Sequence, residues 1–131
     1  MKETAFFPGK FQPLHLGHII SICRIKELGY KYIIICLTHD TPHVRTPEDN
    51  MEILKRIFDY DYTSKRMSFE IIEKTLLDHK CLHDFPEDID VMSGNPDVLK
   101  WAEKYGYNPV FFPRTEGVGF SGTEIRKLYN L

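Results

Sequence analysis

Residues 32–37 read Tyr-Ile-Ile-Ile-Cys-Leu, an apolar, β-branched run with no polar alternation. A strand with one wet face alternates, so this one is expected to be covered on both faces, as a central strand of a parallel sheet is. Parallel neighbours need crossover helices, and the preceding sequence supplies one. Ile19, Ile22, Cys23 and Ile25 form an apolar stripe beside Arg24, Lys26 and Glu27, which predicts an amphipathic helix over 16–28, closed by Gly29. Before it, residues 4–7 (Thr-Ala-Phe-Phe) form a short apolar strand that runs into a turn at Pro8-Gly9. The first forty residues are a βαβ unit.

The pattern repeats downstream. Residues 38–47 are a polar loop, and Thr46-Pro47-Glu48-Asp49 has the form of a helix start, with Thr46 as N-cap and Pro47 in the first turn. Met51, Leu54, Ile57 and Phe58 supply the buried face of that helix. Within 68–78, Phe69-Glu70-Ile71-Ile72-Glu73 fits a strand or the start of a helix through Leu77; a short strand is expected, since another βα repeat should supply one, and 81–88 is a loop. Residues 89–92 are a strand stopped by Ser93-Gly94-Asn95-Pro96; Asn95 then caps a helix through Tyr105, closed by Gly106. A last strand covers 109–113, and Ser121-Gly122-Thr123-Glu124, with capping-box spacing, opens a helix over 122–128. The expected fold is a single α/β domain spanning 1–131. It is a three-layer α/β/α, Rossmann-like sandwich on a mostly parallel five-stranded sheet. Such sheets bind ligands at the C-terminal ends of their strands, where strand order reverses.

Charge narrows the class of partner. Seventeen Lys+Arg against nineteen Asp+Glu give a net charge of −2, which argues against nucleic acid or an anionic membrane surface as the main partner. No apolar run approaches the ~20 residues of a membrane span, and the first residues lack a signal-peptide core, so the cytoplasm is the expected compartment. Three cysteines at irregular spacing do not make a disulfide framework; Cys23 and Cys36 are expected to be small buried hydrophobes. His79, Cys81 and His83 offer three ligands in a spacing that fits no familiar zinc pattern, so no metal site is assigned to them.

After the first strand comes Gly9-Lys10-Phe11-Gln12-Pro13-Leu14-His15-Leu16-Gly17-His18, which places two imidazoles around a glycine at a helix N-terminus. Unpaired backbone N–H groups and the helix dipole favour an anion there, and Gly17 lets the backbone approach it. His15 and His18 can both address one phosphate, and Lys10 can add charge. Near the other end, Phe120-Ser121-Gly122-Thr123-Glu124-Ile125-Arg126 opens another helix with two hydroxyls, a glycine and an arginine one turn in. Together the two motifs suggest helix N-termini converging on a polyphosphate.

Gly-Lys-Phe-Gln-Pro-Leu-His-Leu-Gly-His resembles the H-x-G-H signature of the cytidylyltransferase-like nucleotidyltransferase superfamily, and Ser-Gly-Thr-Glu-Ile-Arg resembles its C-terminal S/T-x-T-x-I-R signature. The resemblance runs from Phe6 to Leu128. It implies transfer of a nucleotidyl group from a nucleoside triphosphate to a small phosphate-bearing acceptor, with release of pyrophosphate. It implies catalytic roles for His15, His18, Lys10 and Arg126. Nucleotide contacts would come from Phe7, Gly9, Phe11 and Gly17, from Gly94 and Asn95 in a base-side loop, and from Arg114, Ser121, Gly122 and Thr123. His39 and Arg45 would face the acceptor. Mg²⁺ is implied, held largely by phosphate oxygens and water, and a homodimer is an assembly that small members of the superfamily adopt.

Two branches of the superfamily share the likeness. Gly-Lys-Phe-Gln-Pro looks most like the adenylyltransferases that act on nicotinamide mononucleotide. Arg114-Thr115-Glu116-Gly117 looks like the element of glycerol-3-phosphate and phosphocholine cytidylyltransferases, whose compact length also matches and gives CTP a slight lead. Two other classes are open to test: a non-catalytic nucleotide-binding module, and a detached aminoacyl-tRNA synthetase core, which the lack of a lysine loop disfavours.

Overall fold

A computed structural model describes residues 1–12, 14–39, 45–73, 75–79 and 86–113. Five strands, β1 (Thr4–Gly9), β2 (Tyr32–His39), β3 (Met67–Glu73), β4 (Ile89–Ser93) and β5 (Asn108–Phe111), form one sheet in the order β3-β2-β1-β4-β5. Every pairing is parallel, so the mostly parallel sheet expected from the sequence is wholly so among the described residues. The helices are α1 (Leu16–Glu27), α2 (Pro47–Ile57), α3 (Asp59–Thr63) and α4 (Pro96–Lys104), with a 3-10 turn at Leu76–Asp78.

Side chains of the strands are divided between two cores. Ala5, Ile33, Ile35, Leu37, Met67 and Phe69 face Ile22 and Ile25 of α1 and Leu54 of α2. Phe6, Ile34, Cys36, Ile89 and Val91 face Trp101 and Ala102 of α4. Both faces are covered from Ile33 to Leu37, which is why these residues show no polar alternation; Tyr32, at the start of β2, is exposed instead. The result is three layers, with α1 and α2 on one side and α4 on the other.

Several local expectations shift. Cys23 is exposed, because it lies about 100° round α1 from Ile22, off the line that Ile22 and Ile25 turn to the sheet. Ile57 is 49% exposed; Leu54 and Phe58, four residues apart, carry the buried face instead. β2 runs on to His39, past the expected start of the loop at 38, and β5 starts at Asn108 and ends at Phe111. Pro109 is tolerated because β5 is an edge strand. α3 was not anticipated. Its Asp61 is buried and paired with Lys26 at 2.7 Å and Arg66 at 3.7 Å, while Tyr60 is exposed.

At the N-terminal edge of the sheet, Asp90 is almost fully buried and accepts from the Tyr30 hydroxyl at 2.6 Å, the Asn108 amide at 2.6 Å and the Lys2 backbone N–H at 3.2 Å. Burial alone would raise the Asp90 carboxyl, but these hydrogen bonds outweigh it and hold the group below its ordinary value; the Tyr30 hydroxyl is pushed up by burial and by Asp90.

Candidate active site

Strand order reverses at β1, whose neighbours are β2 and β4. At the C-terminal edge of this switch point, β1 leads into the segment carrying Lys10 to His15, and β4 leads into Ser93-Gly94-Asn95. Because all strands are parallel, α1, α2 and α4 start on that same edge. Fold topology therefore puts the first histidine motif, Gly94-Asn95 and Arg45 at the same edge of the sheet.

His15 is the N-cap of α1, and His18 is the third residue of its first turn. The Gly17 N–H donates to His15 Nδ1 at 3.0 Å, and the His15 N–H donates to His18 Nδ1 at 3.1 Å. This reciprocal arrangement is a capping box built from two imidazoles. The rings stack with centroids 3.8 Å apart and planes at 28°. Since each Nδ1 accepts a backbone N–H, the neutral rings carry their proton on Nε2, as hydrogen-bond donors.

The expectation of unpaired backbone N–H groups at this helix start needs correction. The Gly17 N–H is taken by His15 Nδ1, and the His18 N–H reaches the His15 carbonyl at 3.0 Å. Imidazole donors stand where bare amides were expected. Burial lowers the pKa of His15 from the ordinary 6.5, so the neutral donor form dominates at physiological pH.

Phe11 sits beneath the pair. Its ring meets His18 edge-to-face at 4.7 Å and is 2% exposed, and its backbone is left-handed at φ 51°. A Cβ on Gly9 would lie 2.9 Å from the Phe11 ring, so Gly9 is the residue that lets the ring close over the strand end. Phe7 packs edge-to-face against Phe11 at 6.1 Å and against Phe112 at 6.2 Å. Both phenylalanines named above as nucleotide contacts thus have rings engaged in packing, Phe11 completely.

Gln12 is 1% exposed, and its amide donates to the Arg45 carbonyl and accepts from the Arg45 N–H at 3.1 Å. Arg45 is thereby anchored by its backbone beside the histidine motif while its residue stays exposed. His39, at the end of β2, is exposed, with Nε2 3.6 Å from Glu48 Oε1. Asn95 caps α4 through Asp97 N–H at 2.9 Å, and Ser93 Oγ accepts from Asn95 N–H at 3.0 Å, fixing the turn that holds Gly94. Lys10 follows β1 directly and is half-buried.

Arg114, Ser121, Gly122, Thr123 and Arg126 lie outside the described residues, as do Cys81 and His83. His79 Nε2 is 2.7 Å from the Glu73 carbonyl. No group of three metal-ligating side chains occurs among the described residues.

Two residues were missed by sequence reasoning. The anchoring role of Gln12 has no local signature, since its partner is 33 residues away. Asn50 donates to the Phe11 carbonyl at 2.8 Å from a fully buried position on α2. Its signal was available: it precedes Leu54 and Phe58 by one and two helical turns, an amide on an apolar stripe.

A cytidylyltransferase-like family model matches residues 6–128. The chain is 28% identical over 128 residues to a nicotinamide-nucleotide adenylyltransferase from Haloarcula marismortui, covering 93% of this chain and 68% of that protein. A nicotinamide-nucleotide adenylyltransferase from Sulfurisphaera tokodaii is 28% identical over 133 residues, 95% of this chain and 77% of its own length. Among solved structures, a hexameric APS kinase from Thiobacillus denitrificans resembles 96% of this chain with TM-score 0.48 and 10% identity; the chain spans only 31% of that structure. Fold, histidine pair and family match define a nucleotidyltransferase. The chain belongs to the cytidylyltransferase-like family. No helix among the described residues is long and apolar enough to cross a membrane.

Proposed function

We propose that the chain transfers an adenylyl group from ATP to a mononucleotide of the nicotinamide mononucleotide type, with release of pyrophosphate. The observation that carries the chemistry is the reciprocal cap of α1, which fixes both imidazoles as Nε2–H donors at the switch point. The choice of donor and acceptor is supported by the relatives, which are named nicotinamide-nucleotide adenylyltransferases.

In this reading an acceptor phosphate oxygen attacks the α-phosphorus in line. The bond from the α-phosphorus to the bridging oxygen breaks, and pyrophosphate leaves with that oxygen. The protein's task is positioning and charge stabilisation. His15 and His18 donate from Nε2 to the transferring phosphoryl group and the bridging oxygen, with Lys10 adding charge. Ser121, Gly122, Thr123 and Arg126 hold the β- and γ-phosphates, joined by Arg114. Gly94 and Asn95 border the base, together with Phe7, Gly9, Phe11 and Gly17 along the first motif. His39 and Arg45 face the acceptor. The donor set at the histidines is N–H rather than oxygen, so Mg²⁺ would arrive on the triphosphate, held by its oxygens and water, and supply charge neutralisation. The setting is the cytoplasm.

A second reading, CMP transfer from CTP to a small phosphorylated acceptor such as glycerol 3-phosphate, is favoured by Arg114-Thr115-Glu116-Gly117. One experiment separates the readings: pyrophosphate release with each of the four triphosphates and Mg²⁺, with nicotinamide mononucleotide or glycerol 3-phosphate. ATP-dependent release that requires the mononucleotide supports the first reading, and CTP-dependent release the second. Stabilisation by a nucleotide, about 1.4 kcal/mol at tenfold excess over Kd, without turnover on any acceptor would mark a non-catalytic module.

A further inference from the structure

We infer that Asn50 is a positioning residue for the histidine pair: by holding the Phe11 carbonyl it fixes the ring against which His18 is set. Asn50 lies on the buried stripe of α2, 0% exposed, where apolar side chains are the usual occupants. Its Nδ2 donates to the Phe11 carbonyl at 2.8 Å. Its Oδ1 is buried and makes no hydrogen bond among the described residues. The donor serves one backbone atom, 39 residues away.

That backbone atom belongs to a residue that needs holding. Phe11 adopts a left-handed φ of 51°, which a side chain of this size seldom accepts without outside support. Its ring fills the space above Gly9 and presses edge-to-face on His18 at 4.7 Å. A peptide rotation that relaxed Phe11 would withdraw the ring from His18 and loosen the imidazole whose Nδ1 receives the His15 N–H. Asn50 touches neither substrate nor reacting atoms in this account; it acts through Phe11. The catalytic consequence rests on the proposed function, whereas the effect on the His18 ring does not.

The test uses Asn50→Leu, which removes the side-chain donor and acceptor together, and Asn50→Ala, which leaves room for water. Imidazole ¹⁵N spectra give the tautomer and ring order of His18, and steady-state kinetics gives kcat and KM separately. The proposal expects a folded variant whose His18 no longer shows a single Nε2–H tautomer. It also expects kcat to fall about tenfold or more with KM changed much less, as for a misplaced catalytic group. A folded variant with the wild-type His18 spectrum overturns it whatever the activity, and failure of both variants to fold makes Asn50 structural and also overturns it. If the His18 spectrum changes as expected but the wild-type protein turns over no triphosphate, the positioning stands and the enzymatic reading falls.

Discussion

The side-chain amide of Gln12 pairs with the backbone of Arg45 in both directions, donating to its carbonyl and accepting from its N–H at 3.1 Å. A loop that follows β2 is thereby tied to the segment that follows β1, so the proposed acceptor contact and the histidine pair share one support. Gln12→Ala leaves both Arg45 groups to find water or remain unpaired. The expected result is a loss of about 1–3 kcal/mol in urea unfolding, and a KM for the acceptor that rises more than kcat falls.

The cap geometry also fixes a pH response. Burial holds His15 below 6.5, so the unfolded chain takes up a proton before the folded one does. This contribution to stability is complete above the ordinary imidazole value and is lost as pH falls through the folded one. Protonation also places a hydrogen on Nδ1, where the Gly17 N–H already donates. His15→Asn keeps a good N-cap and removes the titration. Wild type is expected to lose melting temperature more steeply than His15→Asn as pH drops below 6.5, a difference that paired melts at several pH values measure.

Much of this was legible in the sequence, for local reasons. Residues 32–37 announce burial on two faces, and Thr46, Asn95, Gly29 and Gly106 mark helix ends; the two glycines adopt φ of 93° and 83°. The spacing of His15 and His18 is that of a capping box, a role readable in the sequence beside the phosphate chemistry. What escaped was set by tertiary contacts. The five residues of α3 are too few to show a period, and Asp61 is buried only because Lys26 and Arg66 meet it there. Gln12 and Asn50 act on backbone atoms 33 and 39 residues away; the apolar stripe of α2 flags Asn50 as buried, but no local pattern names either partner.

Asp90 makes a second, independent acid-sensitive site at the far edge of the sheet. Burial opposes its charge, but hydrogen bonds from Tyr30, Asn108 and Lys2 prevail and keep its pKa below 3.8. Its stabilisation is therefore present above that value and is lost as pH falls through the folded one. Asp90→Asn is expected to cost roughly 1.5–3 kcal/mol at pH 7, the scale of hydrogen bonds to a charged group. That deficit should shrink in the acid range below 3.8, as urea titrations at both pH values can establish.

Gly9→Ala tests the seat of Phe11. The added Cβ would stand 2.9 Å from Cζ and 3.0 Å from Cε2 of the ring, which is itself packed on His18. The ring has to move, so a loss of about 1–3 kcal/mol is expected from overpacking. Turnover should fall with it, and a second substitution that shrinks the ring, Phe11→Leu, should recover stability better than turnover.

The central claim is that the paired imidazoles stabilise charge during nucleotidyl transfer, and His18→Gln separates that role from the cap. Glutamine at the third helical position can accept the His15 N–H as in an ordinary capping box, so the variant should fold, at a cost of about 1 kcal/mol for the lost ring contacts with Phe11 and His15. Pyrophosphate release by His18→Gln, measured beside wild type under saturating triphosphate and acceptor, is the most direct measurement. A fall of roughly two or more orders of magnitude in kcat with the variant still folded is the predicted result, and wild-type turnover by the folded variant would contradict it.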